Sequence, residues 1–357
     1  MVSALIGAGF MGDVHSRALK GAGIEIAGIV SSTPEKSQQA ASSLGINRAY
    51  RSVEELLADS SVTVVHVLTP NESHAKYVSM ALDAGKHVVC EKPLTVDAAE
   101  AIALTKRAQE LNLIGAIPFA YRFHAMTREA RSKVLAGELG KLFSVRGQYL
   151  QDWLLSPEDT NWRVDASLGG PSRAFADIGI HLCDLVEFIS GKRIERLVAS
   201  TRTVYPNRAG REVATEDLVS LMAEMEDGIV ASLLVSQVAA GHKNALVVEI
   251  HGGSESLNFK QETPETLWIG RPGGNVIQSR DPANLSREAA RITGLPAGHP
   301  EGYLDAFTSF MRDVREAVEG STPAGLPTFA DAARGAVLTE CVMQSAKSGG
   351  WVEVPSV

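Results

Sequence analysis

Val2-Ser3-Ala4-Leu5-Ile6-Gly7-Ala8-Gly9-Phe10-Met11-Gly12 is the stretch on which the fold of this chain turns. A short apolar run stops on a glycine, as a strand does. Met11 to Lys20 then has helical spacing and ends at Gly21-Ala22-Gly23, and Glu25 to Val30 reads as a second strand. The pattern G-x-G-x-x-G is weak by itself. Set after a strand, opening a helix and followed by another strand, it is a dinucleotide fingerprint. Gly7 allows the tight turn, Gly9 lets the backbone approach a pyrophosphate, and Gly12 lets helix pack on strand. The helix N-terminus turns N–H groups and a partial positive charge toward the phosphates. Gly7, Gly9, Phe10, Met11 and Gly12 are therefore cofactor-binding candidates.

The alternation continues outward. Val62 to Leu68 is apolar nearly throughout, which suits a strand covered on both faces. Helical stretches at 34–44 and 53–58 precede it, and those at 72–84 and 98–111 alternate with strands at 87–90 and 113–117. Strand–helix alternation predicts an α/β domain with a doubly wound parallel sheet over residues 1–120. Beyond it, strands follow one another at 197–203, 218–225, 229–238 and 246–251, with the hairpin signal Asp227-Gly228 between two of them. Residues 121–357 are expected to form an α+β domain on a large, mostly antiparallel sheet, closed by helices at 303–318 and 329–347. The stretch Gln151 to Gly170 reads as a long loop of the kind that lines binding sites.

Composition bounds the function. The chain has 357 residues, a net charge of -8, 45% hydrophobic and 21% charged residues. An acidic chain without a basic block is a poor partner for nucleic acid or anionic lipid. No apolar run reaches the ~20 residues of a membrane span. Cys90, Cys183 and Cys341 are scattered, so neither a disulfide framework nor a metal site is expected, and a reducing cytoplasm fits.

Three further segments carry chemistry. The end of the second strand normally holds an acid that bonds the ribose of NAD and repels the phosphate of NADP. Here it reads Ser31-Ser32-Thr33, with Lys36 beyond, so either NAD or NADP is expected to be tolerated. Thr69-Pro70-Asn71 with His74, and Glu91-Lys92-Pro93, each follow a strand, at the ends where open parallel sheets bind ligands. Lys92 can hold a substrate hydroxyl or donate a proton. Asp177 and His181 are four apart, on one face of a helix that begins near Asp177. A histidine titrates near neutrality and can take a proton as hydride leaves an alcohol carbon.

With these motifs in this order, the chain resembles the Gfo/Idh/MocA family, named for glucose–fructose oxidoreductase, inositol dehydrogenase and a rhizopine-catabolism protein. The resemblance implies a Rossmann domain followed by a sheet domain. It also implies NAD(P)-dependent oxidation or reduction of a secondary hydroxyl or ketone on a sugar, anhydrosugar or inositol-like polyol. Lys92, Asp177 and His181 match the family's catalytic trio. Thr69, Pro70, Asn71, His74, Glu91, Lys92, Ser31, Ser32 and Lys36 join the cofactor-binding set. Arg122, Tyr149, Trp153, Trp162 and Arg163 join Asp177 and His181 as substrate-binding candidates, because aromatic faces and polar forks suit a sugar. A dimer or tetramer through the second sheet is also expected. The other readings are a glycosidase that recycles NAD in place and a non-catalytic NAD(P)-binding sensor. His15, His66, His87, His242 and His251 are read as core or surface residues.

Overall fold

β1 (Val2–Ile6), α1 (Phe10–Gly21), β2 (Glu25–Val30), α2 (Pro34–Leu44), α3 (Val53–Ala58), β3 (Val64–Val67), α4 (His74–Asp83), β4 (His87–Cys90), α5 (Ala98–Glu110) and β5 (Gly115–Ala116) alternate along the first third of the chain, in a computed structural model that describes residues 1–357. Side-chain caps set where the helices start. Thr33, Ser52 and Asp97 accept backbone N–H bonds at α2, α3 and α5. The five strands pair in parallel in the order β2-β1-β3-β4-β5. All four residues of β3 are buried, as its unbroken apolar run requires. The strand order reverses between β1 and β3, and ligands of open α/β sheets bind outside the carboxyl ends at such a point.

The next segment holds α6 (Ala125–Leu135), β6 (Leu142–Leu150), α7 (Ala166–Gly169), α8 (Ile180–Ser190), β7 (Ile194–Arg202), β8 (Asn207–Arg208), β9 (Arg211–Glu212), β10 (Leu218–Met225), β11 (Ile229–Ser236), β12 (Ala245–Gly252), β13 (Ser256–Lys260), β14 (Thr266–Gly270), β15 (Val276–Ser279) and α9 (Arg287–Arg291). α10 (Tyr303–Val318), α11 (Phe329–Ser348) and β16 (Val352–Glu353) complete the chain. Nine strands form one sheet in the order β15-β14-β13-β12-β6-β11-β10-β7-β16. Every neighbouring pair is antiparallel except β6 with β11. Asp227 and Gly228 take positive φ at the β10–β11 turn, as a tight hairpin demands. On β10 and β11 the inward residues Val219, Leu221, Ala223, Ile229, Ala231 and Leu233 are buried. A Cβ on Gly147 of β6 would lie 2.9 Å from Leu182 of α8 and 2.8 Å from Leu233. Glycine there lets α8, which carries His181, lie close on the sheet.

The chain divides into two compact units, Met1–Ala120 with Tyr303–Ala333 and Val357, and Tyr121–Gly302 with Arg334–Ser356. Assigning everything after 120 to the second domain therefore needs amendment. α10 belongs with α1: the Phe307 ring meets His15 at 5.4 Å, and Arg315 donates to the Ala22 carbonyl at 3.0 Å. Two further expectations shift. The strand at 113–117 shrinks to the two residues of β5, and β13 to β15, short and interrupted by polar turns, add to the sheet.

Candidate active site

In the first unit, Gly7 has φ +113, and a Cβ on it would sit 2.7 Å from the Leu68 carbonyl oxygen. Only glycine suits that backbone and that approach of the β1 and β3 loops. A Cβ on Gly9 would meet nothing within 4 Å, so open space lies over the backbone where a pyrophosphate would approach. Gly9 is also the N-cap of α1 and makes no side-chain cap bond, unlike the caps of α2, α3 and α5. A glycine turn, open space and a helix N-terminus without a side-chain cap together fit a dinucleotide. Phe10 is exposed beside it, while Met11 is partly and Gly12 fully buried.

After β2, Ser31 is half-buried and its N–H donates to Ser37 Oγ at 2.8 Å. Ser32 and Lys36 are exposed. Among 31–34 there is no carboxylate; Glu35 follows on the exposed first turn of α2. Thr69 Oγ1 accepts from Ser73 at 2.7 Å, and Pro70 and Asn71 lead into a 3-10 turn before α4.

His74 is placed differently from the expectation of a cofactor ligand. It is buried, with Nε2 2.7 Å from the Thr69 carbonyl and Nδ1 2.7 Å from the Pro93 carbonyl. Its ring ties the loop after β3 to the loop after β4. Glu91 is buried too, and receives His15 Nε2 at 3.0 Å and the Lys92 N–H at 3.2 Å. Burial pushes the Glu91 carboxyl up, but His15, Lys92 and His74 around it hold it below the ordinary carboxylate range. Lys92 is half-buried and precedes a cis proline.

His66 of β3 lies under this loop cluster, with its ring Nδ1 3.0 Å from His15 Nδ1. Burial, and then His15, hold its pKa well below 6.5. Below about pH 6.5 the unfolded chain binds a proton at this histidine that the folded chain refuses, so stability falls as pH falls. The loss should approach about 1 kcal/mol per pH unit. Urea unfolding at pH 7.5 and pH 5.5 should show it, with a smaller difference in His66→Gln. An equal difference in both proteins would show that His66 carries its proton in the fold.

The second unit gathers the substrate candidates. Phe175–Gly179 is a π-helical turn, continued by α8. The helix expected from Asp177 onward is present, with one wide turn at its start. Buried Glu216 accepts N–H bonds from Arg173 and Phe175 and so anchors that turn. Asp177 Oδ1 meets Arg163 Nε at 3.2 Å, and Oδ2 receives Gln237 Nε2 at 2.8 Å. The His181 ring packs edge-on against Tyr121 at 5.2 Å and tilts against Tyr149 at 6.5 Å. The Tyr121 and Tyr149 hydroxyls bond each other. Tyr149 donates to Asn244 Oδ1 at 2.7 Å, as does Gln151 Nε2 at 2.9 Å, and Asn244 Nδ2 donates to Tyr121 at 3.1 Å. Trp153 Nε1 donates to Gln151 at 2.8 Å, and Arg163 stacks over Trp162 at 4.4 Å. Burial raises the pKa of Tyr121, so its hydroxyl stays protonated.

Arg122 is used elsewhere. Its guanidinium forks onto Asp184, with Nε–Oδ2 at 2.8 Å, and lies over Phe188 in a buried pair, which is a packing role. Tyr121, Asn244 and Gln237 were not singled out from the sequence as binding candidates. They lie outside any motif, and Asn244, just before β12, is brought to Tyr149 of β6 by the pairing of those two strands.

Comparison with known proteins agrees with this geometry. The model of the oxidoreductase family with an NAD-binding Rossmann fold matches residues 2–118, and the Gfo/Idh/MocA C-terminal domain matches residues 127–258. A solved oxidoreductase domain protein from Kribbella flavida is 32% identical, covers 99% of each chain and superposes with a TM-score of 0.91. The chain belongs to the Gfo/Idh/MocA family.

Within the Gfo/Idh/MocA family it is similar to levoglucosan dehydrogenase from Pseudarthrobacter phenanthrenivorans, at 28% identity over 99% of this chain and 98% of that one. A levoglucosan dehydrogenase solved in complex with NADH and levoglucosan covers all of both chains, at a TM-score of 0.93. An inositol dehydrogenase homolog from Azotobacter vinelandii, solved with NAD+, is 29% identical over 99% and 97%, at 0.88. The chain is thus an NAD(P)-dependent oxidoreductase of a family of sugar dehydrogenases. No helix is long and apolar enough to cross a membrane.

Proposed function

We propose that this Gfo/Idh/MocA protein oxidises a secondary hydroxyl of a sugar, anhydrosugar or inositol-like polyol, or reduces the matching ketone. The observation that carries this reading is the polar and aromatic group around His181. Tyr121, Tyr149, Asn244 and Gln151 form one hydrogen-bonded set beside the imidazole. Such a set suits a ligand with an apolar ring face and many hydroxyls. Gly7, Gly9 and Gly12, with the loops at Thr69 and Glu91, would hold the dinucleotide, which supplies a hydride acceptor or donor when bound. His181 takes the proton of the reacting hydroxyl. Asp177, held on both oxygens by Arg163 and Gln237, receives a neighbouring substrate hydroxyl. Lys92 holds and polarises the reacting oxygen.

Lys92→Ala should keep cofactor binding and lose turnover by ~10²-fold or more. Cofactor fluorescence titration and steady-state rates check this, and near-normal turnover would remove Lys92 from the mechanism. Cofactor choice is the finer claim. With Ser31 where an acid often stands, NADP is tolerated beside NAD. Ser31→Asp should weaken NADP binding while sparing NAD, through repulsion of the 2′-phosphate. Equal NADP affinity in both proteins would show that Ser31 lies away from the ribose.

Met222, Val230 and Leu234 are exposed on the outer faces of β10 and β11, which supports assembly of two or four copies through that sheet. Cys90, Cys183 and Cys341 are buried free thiols, which supports a reducing compartment. The direct test of function is a panel of monosaccharides, anhydrosugars, glycosides and inositols with NAD and NADP, followed at the nicotinamide absorbance band. Net cofactor reduction supports the dehydrogenase. Glycoside cleavage without it would establish the cofactor-recycling glycosidase, and binding without turnover a sensor.

A further inference from the structure

Tyr121, Tyr149 and Asn244 bond one another in a closed ring beside His181, and a line of donors leading into it fixes its hydrogens. The line starts at Trp153. An indole N–H only donates, so Gln151 turns its Oε1 to Trp153 Nε1 at 2.8 Å. Gln151 Nε2 is then left for Asn244, whose Oδ1 receives it at 2.9 Å. That orientation turns Asn244 Nδ2 to Tyr121, to which it donates at 3.1 Å. The backbone N–H of Asn244 donates to Glu262 Oε1 at 2.9 Å and holds the residue in place.

A phenol carries one hydrogen. Tyr149 gives its hydrogen to Asn244 Oδ1 at 2.7 Å, so the bond between the two phenols takes its hydrogen from Tyr121. Burial raises the pKa of Tyr121, which keeps that hydrogen in place near neutrality. Both phenolic hydrogens are therefore spent inside the ring. Turning over the amides of Gln151 and Asn244 together would only reverse the direction of the ring and spend both again. Anything else that bonds to either phenol oxygen must itself donate.

We propose that Asn244 is a specificity-determining residue: by closing this ring it makes Tyr121 and Tyr149 acceptors only, so the substrate group held against them is a hydroxyl that donates. This rests on the reading of His181 and its neighbours as the site of sugar oxidation. The reacting hydroxyl has one hydrogen and gives it to His181, so the group held by the phenols is a second hydroxyl, left unoxidised. The substrate is thus a polyol with a free hydroxyl beside the reacting one. An ether oxygen, a fluorine, a carbonyl or a carboxylate at that place sets lone pairs against lone pairs and is refused. A site built to bond a hydroxyl rejects an analogue that cannot complete the bond far more strongly than it rejects a change of size.

The test uses the best substrate of the panel and analogues of it in which one hydroxyl at a time, other than the oxidised one, is replaced by fluorine. Fluorine is close to a hydroxyl in size and cannot donate. In the parent protein, fluorination at one position should lower kcat/KM by ~10-fold or more. In Asn244→Leu the ring is open and Tyr149 can turn its hydrogen to the fluorine, so the hydroxyl-to-fluorine ratio at that position should fall to ~3-fold or less. Asn244→Asp still takes both phenolic hydrogens and should keep the parent ratio. A purely structural role for Asn244 would slow both compounds alike and leave the ratio unchanged in every variant. Tyr149→Phe frees the Tyr121 hydrogen and should also lower the ratio, and it serves as the second variant if Asn244→Leu does not fold. Equal use of hydroxyl and fluoro compounds by the parent at every position overturns the proposal. So does a ratio that stays at the parent value in Asn244→Leu and Tyr149→Phe. Failure of any sugar or polyol to be oxidised would instead overturn the reading of the site on which the proposal rests.

Discussion

Replacing His181 by asparagine is expected to lower turnover at the pH optimum by ~10²–10⁴-fold and to flatten the neutral limb of the pH–rate profile. Alcohol oxidation releases a proton with the hydride, and the imidazole is the side chain whose ordinary pKa lies near 6.5. The parent rate of oxidation should rise with pH through one ionisation, as His181 becomes neutral and able to accept. Asparagine keeps polar bonding beside Tyr121 and Tyr149 but exchanges no proton in this range. Steady-state rates from pH 5 to pH 9 for both proteins decide the matter. A variant that kept both limb and rate would make His181 a packing residue. The proton would then leave through Lys92 or water.

The second large effect concerns Asp217. It is fully buried, and its carboxylate receives Arg208 Nη2 at 2.7 Å, Arg173, and the N–H groups of Val204 at 2.6 Å and Tyr205 at 3.2 Å. Both guanidinium groups are buried with it. Asp217→Ala leaves two buried cations facing a cavity, and losing one partner of such a cluster costs about 3–5 kcal/mol. The variant is expected to unfold at much lower urea, or to be recovered misfolded. The site should suffer with it. The Asp217 carbonyl accepts the Gln237 N–H at 2.9 Å, and the Gln237 amide holds Asp177. Burial pushes the Asp217 carboxyl up, but Arg173 and Arg208 outweigh it and hold its pKa below the usual range. Its contribution is therefore present above about pH 4 and is lost as pH falls through the folded value. A loss under about 1 kcal/mol in Asp217→Ala would show that the two arginines find other partners.

Local geometry was legible in the residues. Gly7 to Gly12 needs only its neighbours to form a turn and a helix N-terminus, and the Asp227-Gly228 turn likewise depends on two positive φ angles. Asp177 and His181 could be placed on one helix by spacing, although the π-helical turn could not, because Glu216 anchors it at Phe175 from 41 residues further on. What was hidden depends on long-range pairing. Tyr121 and Asn244 bond side chain to side chain across 123 positions. His15, His66 and Glu91 sit on periodic apolar segments, where a buried histidine gives no sign of its partner. Arg122 was ambiguous for the same reason, since Asp184 lies 62 residues away. α10 read as one of two closing helices of the second domain because its apolar face says only that it packs, and not that α1 is its partner.

Hydride transfer from a sugar carbon is the central claim, and isotope transfer measures it most directly. The substrate selected by the panel, deuterated on its ring carbons, is incubated with the protein and an equivalent of oxidised nicotinamide cofactor. Mass spectrometry of the cofactor then follows the label. The account predicts one deuterium on the reduced nicotinamide, with the sugar recovered as its ketone. Recovery of oxidised, unlabelled cofactor with a cleaved or unchanged sugar would contradict it.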